Sequence, residues 1–295
     1  MTTVEAGPEL APADLFARLG QSLGPIRAVG VGASRPPAGR PGLDARSRWV
    51  CCDPLAETEP GAAAAGAETA GVVRAVAVSP NGGTELLNVA RDPGRSSLLD
   101  PNWPVLSGQG DLAGFETVER RMVPAVTLAE LAAEHGPIDV LRLDCGGLEY
   151  QVLSSGLTAL DGAVCLEIDG GMVDNYDGQY PLATVSVLLE NAGYALAELS
   201  TSARPAPADP PGGLRQPVQY HGTWLRDYTR RPAGFTAERA VKLLVLCREL
   251  GFRSFGREVA ALLHERRLLT DEHHEALQRE ELWREPWPLP SQNLG

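Results

Sequence analysis

Short, largely apolar runs recur along this chain, and each stops at glycine or a carboxylate. Ile26 to Val31 ends in Gly32-Ala33-Ser34, Trp49 to Cys52 in Asp53-Pro54, Ile138 to Leu143 at Asp144, and Ala163 to Leu166 at Glu167-Ile168-Asp169-Gly170-Gly171. Brief apolar runs bounded by turn residues are the mark of strands buried on both faces. Helical stretches stand between them. Thr127, with Glu130 three residues on, is a capping box that opens a helix through Glu134. Gly146-Gly147 turns the chain into a helix from about Leu148 to Ser155, and Pro181 opens another to Asn191 with Leu182, Val185, Leu188 and Leu189 on its apolar face. Strands that alternate with helices predict an α/β fold with a mostly parallel sheet covered on both faces.

The remaining segments fill in that plan. Asp14 caps a short amphipathic helix at Ala13–Leu19. Val72 to Val78 reads as a third strand, and the turn Ser79-Pro80-Asn81-Gly82-Gly83 with Glu85–Val89 as a hairpin. Gly61 to Gly71 is an Ala/Gly stretch with no chemistry assigned. Tyr194–Leu199 is a further strand, and a proline-rich linker, Arg204 to Pro217, precedes an edge or antiparallel strand at Val218–Leu225. The tail reads as three helices, with Thr236 capping a run that carries Ala240, Leu243, Leu244 and Cys247, then Val259, Leu262 and Leu263, then a start at Thr270-Asp271-Glu272. The expected division is an N-terminal helical segment 1–25, an α/β domain 26–228 and a helical C-terminal extension 229–295. Exposed Trp283 and Trp287 in that extension suit docking of a protein partner or a second copy.

Charge and cysteine content bound the partners. A net charge of −12 repels phosphate backbones, so no nucleic-acid partner is expected. The chain has no apolar run of about 20 residues, so no membrane partner is expected. Met1–Pro12 lacks the basic and apolar pattern of a secretory signal. Five cysteines, none in CxxC spacing, suit a reducing, cytoplasmic setting.

In open α/β sheets ligands bind beyond the carboxyl ends of the strands. Gly30-Val31-Gly32-Ala33 is either a close backbone approach to a ligand or a tight strand exit. Asp53, about 20 residues on, is either the acceptor of two ribose hydroxyls or a turn initiator. Asp144-Cys145-Gly146-Gly147-Leu148-Glu149 and Glu167-Ile168-Asp169 put carboxylates at two sequential strand ends, where they serve a ligand cation, acid/base chemistry or an internal salt bridge. Arg142 is placed to neutralise Asp144 or Glu149. His221, beside Tyr220 and Trp224, borders a pocket or packs in a strand. Cys145 reads as a small strand-end residue, and no metal site is expected.

The block Ile138-Asp139-Val140-Leu141-Arg142-Leu143-Asp144-Cys145-Gly146-Gly147-Leu148-Glu149-Tyr150-Gln151-Val152-Leu153, with Thr127-Leu128 before it and Leu166-Glu167 and Gly193-Tyr194 after it, resembles the FkbM family of S-adenosylmethionine (SAM) dependent methyltransferases. Val31-Gly32-Ala33 is similar to that family's SAM-binding turn, Asp53-Pro54 to its acidic-proline pair and Ser96-Ser97-Leu98-Leu99 to its serine-leucine element. The resemblance covers about Arg27 to Leu199. It implies a Rossmann-like class I methyltransferase sheet, mostly parallel with one antiparallel edge strand, and a helical C-terminal appendage. It implies SAM as cofactor and O-methylation of a hydroxyl on a small metabolite, such as a sugar or polyketide. Expected cofactor contacts are Gly30, Gly32, Ala33, Asp53, Ser79 and Asp144. Expected catalytic candidates are Asp144, Glu167 and His221. The chain departs from the family pattern at Gly30, where an acid is usual, at Ser34-Arg35-Pro36-Pro37, and at Arg142 and Gly146, which replace a lysine and an acidic residue. The alternative is a catalytically silent methyltransferase-fold protein that serves as a binding or scaffold subunit.

Overall fold

The computed structural model describes residues 24–33, 47–56, 71–107, 112–203, 216–279 and 283. The strands are β1 (Ile26–Val31), β2 (Ser47–Cys52), β3 (Val72–Arg74), β4 (Ala77–Val78), β5 (Gly83–Ala90), β6 (Thr117–Val126), β7 (Val140–Leu143), β8 (Cys165–Gly171), β9 (Tyr194–Ala203) and β10 (Pro217–Arg226). The α-helices are α1 (Trp103–Leu106), α2 (Leu128–His135), α3 (Glu149–Gly156), α4 (Leu182–Asn191), α5 (Ala237–Leu250), α6 (Arg253–Glu265) and α7 (Asp271–Gln278). The chain divides into a larger unit that ends at Asp227 and a helical unit that holds Tyr228 onward.

Seven strands of the larger unit form one sheet in the order β3-β2-β1-β7-β8-β10-β9. β3, β2, β1, β7 and β8 are parallel, and β10 is antiparallel to both of its neighbours. This order grows outward on both sides of the first strand and sets one reversed strand between the last two. It is the Rossmann-like class I methyltransferase sheet. The antiparallel strand expected at Val218–Leu225 is present but lies one place in from the edge, which β9 takes. The burial of Gly222-Thr223-Trp224-Leu225 without interruption fits a strand paired on both sides.

Period-two alternation explains the core. Val29 and Val31 of β1, Leu141 and Leu143 of β7, and Leu166 and Ile168 of β8 share one face, and they pack with Leu128 and Leu131 of α2, Val152 and Leu153 of α3, and Val185 and Leu189 of α4. The capping box forms as the sequence predicts: the Glu130 N–H donates to Thr127 Oγ1 at 3.1 Å and the Thr127 N–H to Glu130 Oε2 at 2.7 Å. At the far end of the sheet the buried Arg226 guanidinium donates to the carbonyls of Leu160, Asp161, Ala163 and Ala192.

The region between the sheet's two halves departs from expectation. The run Val72–Val78 is two strands: β3 joins β2, and β4 leaves to pair with β6. The expected hairpin is not formed, because β6 lies between β4 and β5 in a separate three-stranded sheet. The sequence pattern does not reveal β6. Its five consecutive exposed residues, Val118 to Met122, hide the strand alternation. β8 and β9 also run further than expected, so Glu167 and Asp169 lie within a strand.

In the helical unit Ala240, Leu243, Leu244 and Cys247 are buried, as are Val259 and Leu263. Thr270 and Thr236 cap their helices through side-chain oxygens. Trp283 is buried, packs over Gly256 and donates its indole N–H to Leu277 O, so it is not the exposed docking residue expected. The predicted helix at Ala13–Leu19, Ser34–Pro37, most of Gly61–Gly71, most of the Arg204–Pro217 linker, and Trp287 lie outside the described residues.

Candidate active site

The carboxyl ends of the central strands are tied together by hydrogen bonds that continue past the strands. Gly32 N–H donates to Cys52 O at 2.9 Å, Asp53 N–H to Arg74 O at 3.0 Å, and Asp144 N–H to Val31 O at 3.1 Å. Gly32 has φ +71°, and a Cβ there would collide with the Asp144 carbonyl oxygen. Only glycine lets these two strand exits pass so closely.

Two cavities open at these ends. One, of about 230 Å³, is lined by Gly32, Asp53, Leu55, Val78, Leu98 and Asp144, among others. The other, of about 380 Å³, is lined chiefly by polar groups, including Asp144, Asp169, His221, Gln179, Ser200 and Gln219. Gly94, Asp144 and Gly146 line both cavities, so Asp144 stands where they meet.

The Gly146-Gly147 turn borders both cavities: Gly146 lines the two and Gly147 the larger one. Gly146 has φ +62°, and a Cβ on it would stand 2.8 Å from Ser96 O. The Ser97 hydroxyl donates to Gly146 O at 2.6 Å. An acidic residue at 146, usual in the resembled family, has no room here. Glu149 Oε1 accepts the N–H groups of Cys145 at 3.2 Å and Gly147 at 3.0 Å, so this buried carboxylate braces the turn from the first residue of α3. Burial raises its pKa while those amides restrain the rise.

Burial among protein atoms pushes the Asp144 carboxyl up to about 7, the charges of Asp169 and Glu149 add to the push, and Arg142 opposes it. Asp144 nonetheless remains open to cleft water by accessible surface. Water there screens the carboxylate, so the dense protein surround acts on a group that is not sealed from solvent. Burial raises the Cys145 thiol as well, which keeps it protonated and unsuited to nucleophilic work.

Asp169 and His221 face each other directly across the β8–β10 pair. His221 Nδ1 lies 3.0 Å from Asp169 Oδ1, and Arg142 Nη2 lies 3.7 Å from Asp169 Oδ2. Arg142 therefore pairs with Asp169 rather than with the expected Asp144 or Glu149.

Of the expected cofactor contacts, Gly32, Asp53 and Asp144 line the smaller cavity and the other three do not. Gly30 faces Trp49 inside the sheet. Ala33 lies off the lining. Ser79 is buried in its turn, donating to Glu85 and accepting the Gly82 N–H. Asp53 initiates a turn, its Oδ1 accepting the Leu55 N–H at 2.8 Å, and the residue also lines the smaller cavity. Among the catalytic candidates, Asp144 and His221 line the larger cavity. Glu167 is 3% exposed, sits between Arg142 and Thr223 of the neighbouring strands and lines neither cavity. Sequence reading missed Arg95, Tyr176, Gln179 and Ser200–Ser202 on the larger cavity, because nothing local marks them as neighbours. Among the described residues no group of three or more His, Cys, Asp or Glu side chains is placed to hold a metal ion.

No protein-family model and no curated protein matches the chain. Solved structures similar to it include a mutant of the 16S rRNA (adenine(1408)-N(1))-methyltransferase from Catenulisporales acidiphilia, at 14% identity and TM-score 0.31 over 77% of this chain and 98% of that one. Magnesium protoporphyrin IX methyltransferase from Synechocystis PCC 6803 with bound SAM is similar at 13% identity and TM-score 0.29, over 73% of this chain and 78% of that one. Precorrin-6y C5,15-methyltransferase from Geobacter metallireducens GS-15 is similar at 11% identity and TM-score 0.28, over 75% and 93%. Likeness this distant assigns no activity; the strand order carries the fold class. Among the described residues no helix is long and apolar enough to cross a membrane.

Proposed function

We propose that this chain transfers a methyl group from SAM to a hydroxyl of a small metabolite, in the manner of the FkbM family that its sequence resembles. The meeting of two chemically different cavities at Asp144 carries the reading. The smaller cavity fits an adenosyl sulfonium. It offers a backbone cradle that a Cβ at Gly32 would fill, a carboxylate at Asp53 for ribose hydroxyls, apolar walls from Leu55, Val78, Leu87 and Leu98 for the base, and Asp144 for positive charge. When bound, SAM supplies a methyl group already activated on sulfur.

The larger cavity suits an uncharged, hydroxyl-bearing acceptor. Its charged groups are largely compensated: Arg95 pairs with Asp92 at 3.1 Å, Asp169 with Arg142 and His221, and Glu149 with its own loop amides. Ser200, Thr201, Ser202, Gln179 and Gln219 then supply neutral hydroxyl and amide partners, which recognise hydroxyls without demanding charge. In this reading these residues hold the acceptor oxygen near Asp144. With a net charge of −12 and one arginine on this lining, we read the acceptor as a small molecule and not a nucleic acid. The buried cysteine thiols suit work in the reducing cytoplasm.

The test is incubation of the full chain with methyl-labelled SAM and a panel of methyl glycosides and other small polyols. Label in an ether-linked methyl product supports the reading. SAM binding with no transfer to any hydroxyl, amine or RNA acceptor supports the silent, scaffold alternative.

A further inference from the structure

We propose that His221 removes the proton from the acceptor hydroxyl and that Asp169, braced by Arg142, holds the imidazole in the form that can do so. This rests on the methyl-transfer reading above. The sheet itself builds the pair. Asp169 and His221 are direct partners in the β8–β10 register, and both side chains line the larger cavity. Strand pairing fixes their approach before any substrate arrives.

Chemistry then sets the tautomer. The Asp169 carboxylate accepts only, so the 3.0 Å contact requires a proton on His221 Nδ1. In the neutral ring this leaves the lone pair on Nε2, which has no hydrogen-bond partner among the described residues. Arg142 Nη2 stands 3.7 Å from the other Asp169 oxygen, an ion pair longer than a hydrogen bond, and its charge favours the carboxylate's present orientation. Each side chain of the pair is 30% exposed, so the imidazole is reachable from the cavity.

The other carboxylates are less suited. Glu149 is committed to the Cys145 and Gly147 amides, and Glu167 lines neither cavity. Asp144 also lines the smaller cavity, where its charge serves the cation.

The acceptor O–H bond breaks, its proton goes to Nε2, and its electron pair becomes the bond from oxygen to the methyl carbon. The pair of the bond that the methyl leaves stays on the sulfur of the donor. The resulting imidazolium keeps Nδ1–H on Asp169, whose negative charge stabilises it, and Nε2 then yields its proton to cavity water.

Nitrogen-15 NMR of the histidine-labelled full chain at pH 8 reads the tautomer without any acceptor, with His221→Gln assigning the signal. The expected result is Nδ1–H in the wild type and a shift to the Nε2–H form in Asp169→Ala. With SAM and whichever methyl glycoside takes label, Asp169→Ala and His221→Gln should each lower kcat about 10²-fold or more, with SAM affinity unchanged. A wild-type ring protonated on Nε2 overturns the assignment, as does full turnover in either variant. If Asp169→Ala fails to fold, His221→Gln alone decides on turnover. The NMR result stands whether or not a methyl glycoside proves to be an acceptor, so failure of the pair and failure of the methyl-transfer reading are separable.

Discussion

The carbonyl oxygen of Asp144 occupies the place where a side chain on Gly32 would stand. The exits of β1 and β7 are thus fitted backbone to backbone. The Asp144 N–H donates to Val31 O just beside them. Val31, Gly32 and Asp144 all line the smaller cavity.

Gly32→Ala should therefore be costly. The variant must hold an L-residue at φ +71° and also push back the Asp144 backbone. The left-handed conformation alone costs about 1–2 kcal/mol, and displacing backbone adds to it. Chemical denaturation should show a loss of about 2 kcal/mol or more, with SAM binding weakened in whatever fraction folds. A change below about 0.5 kcal/mol would mean that the exits are not fitted in this way.

Asp144 should make stability and binding depend on pH. Its pKa stands near 7 in the folded protein, above its ordinary value of 3.8. Between these values the folded state holds a proton that the unfolded state releases, so stability falls as pH rises from about 4 to about 7 and then levels. Asp144→Asn lacks that fall. Its advantage over the wild type should be absent at pH 4 and reach on the order of 1 kcal/mol at pH 8, since cleft water screens the carboxylate. SAM affinity should move oppositely in the wild type, weakening as pH drops through 7 and Asp144 loses its charge. Thermal melts and binding at pH 6 and 8 check both signs.

Arg226 should tolerate no replacement. It is 7% exposed, its guanidinium lies 4.2 Å over the Tyr194 ring, and it donates to four carbonyls, of which those of Leu160 and Ala163 also accept from the Tyr194 hydroxyl. Lysine has neither the planar fork nor enough donors to replace it. Arg226→Lys should cost about 2–4 kcal/mol by denaturant unfolding. A loss under about 1 kcal/mol would show that the carbonyls find other partners.

The central strands and their tips were legible because each is a short apolar run closed by a turn residue, and the capping box at Thr127 because its chemistry is local. The split of Val72–Val78 between two sheets was hidden, since one continuous apolar run serves both β3 and β4. Gly30 looked like part of a ligand turn, but strand alternation points it at Trp49. Residue type and strand position single out Asp53, Asp144 and His221, and each lines a cavity. The larger cavity was not legible as a whole. It draws Arg95, Tyr176, Ser200 and His221 from distant stretches, and only the sheet order brings them together. The position of β10 inside the sheet is what sets His221 against Asp169, and no spacing in the sequence encodes that neighbour.

The most direct test is calorimetric titration of the full chain with SAM, beside the Asp53→Ala variant. Asp53→Ala removes the carboxylate at the tip of β2 and the cap it gives the Leu55 amide. Micromolar binding to the wild type is expected, with at least about tenfold weaker binding to a folded Asp53→Ala. A folded wild-type chain with no detectable affinity for SAM, or an Asp53→Ala variant that binds it equally well, would contradict the assignment of the smaller cavity.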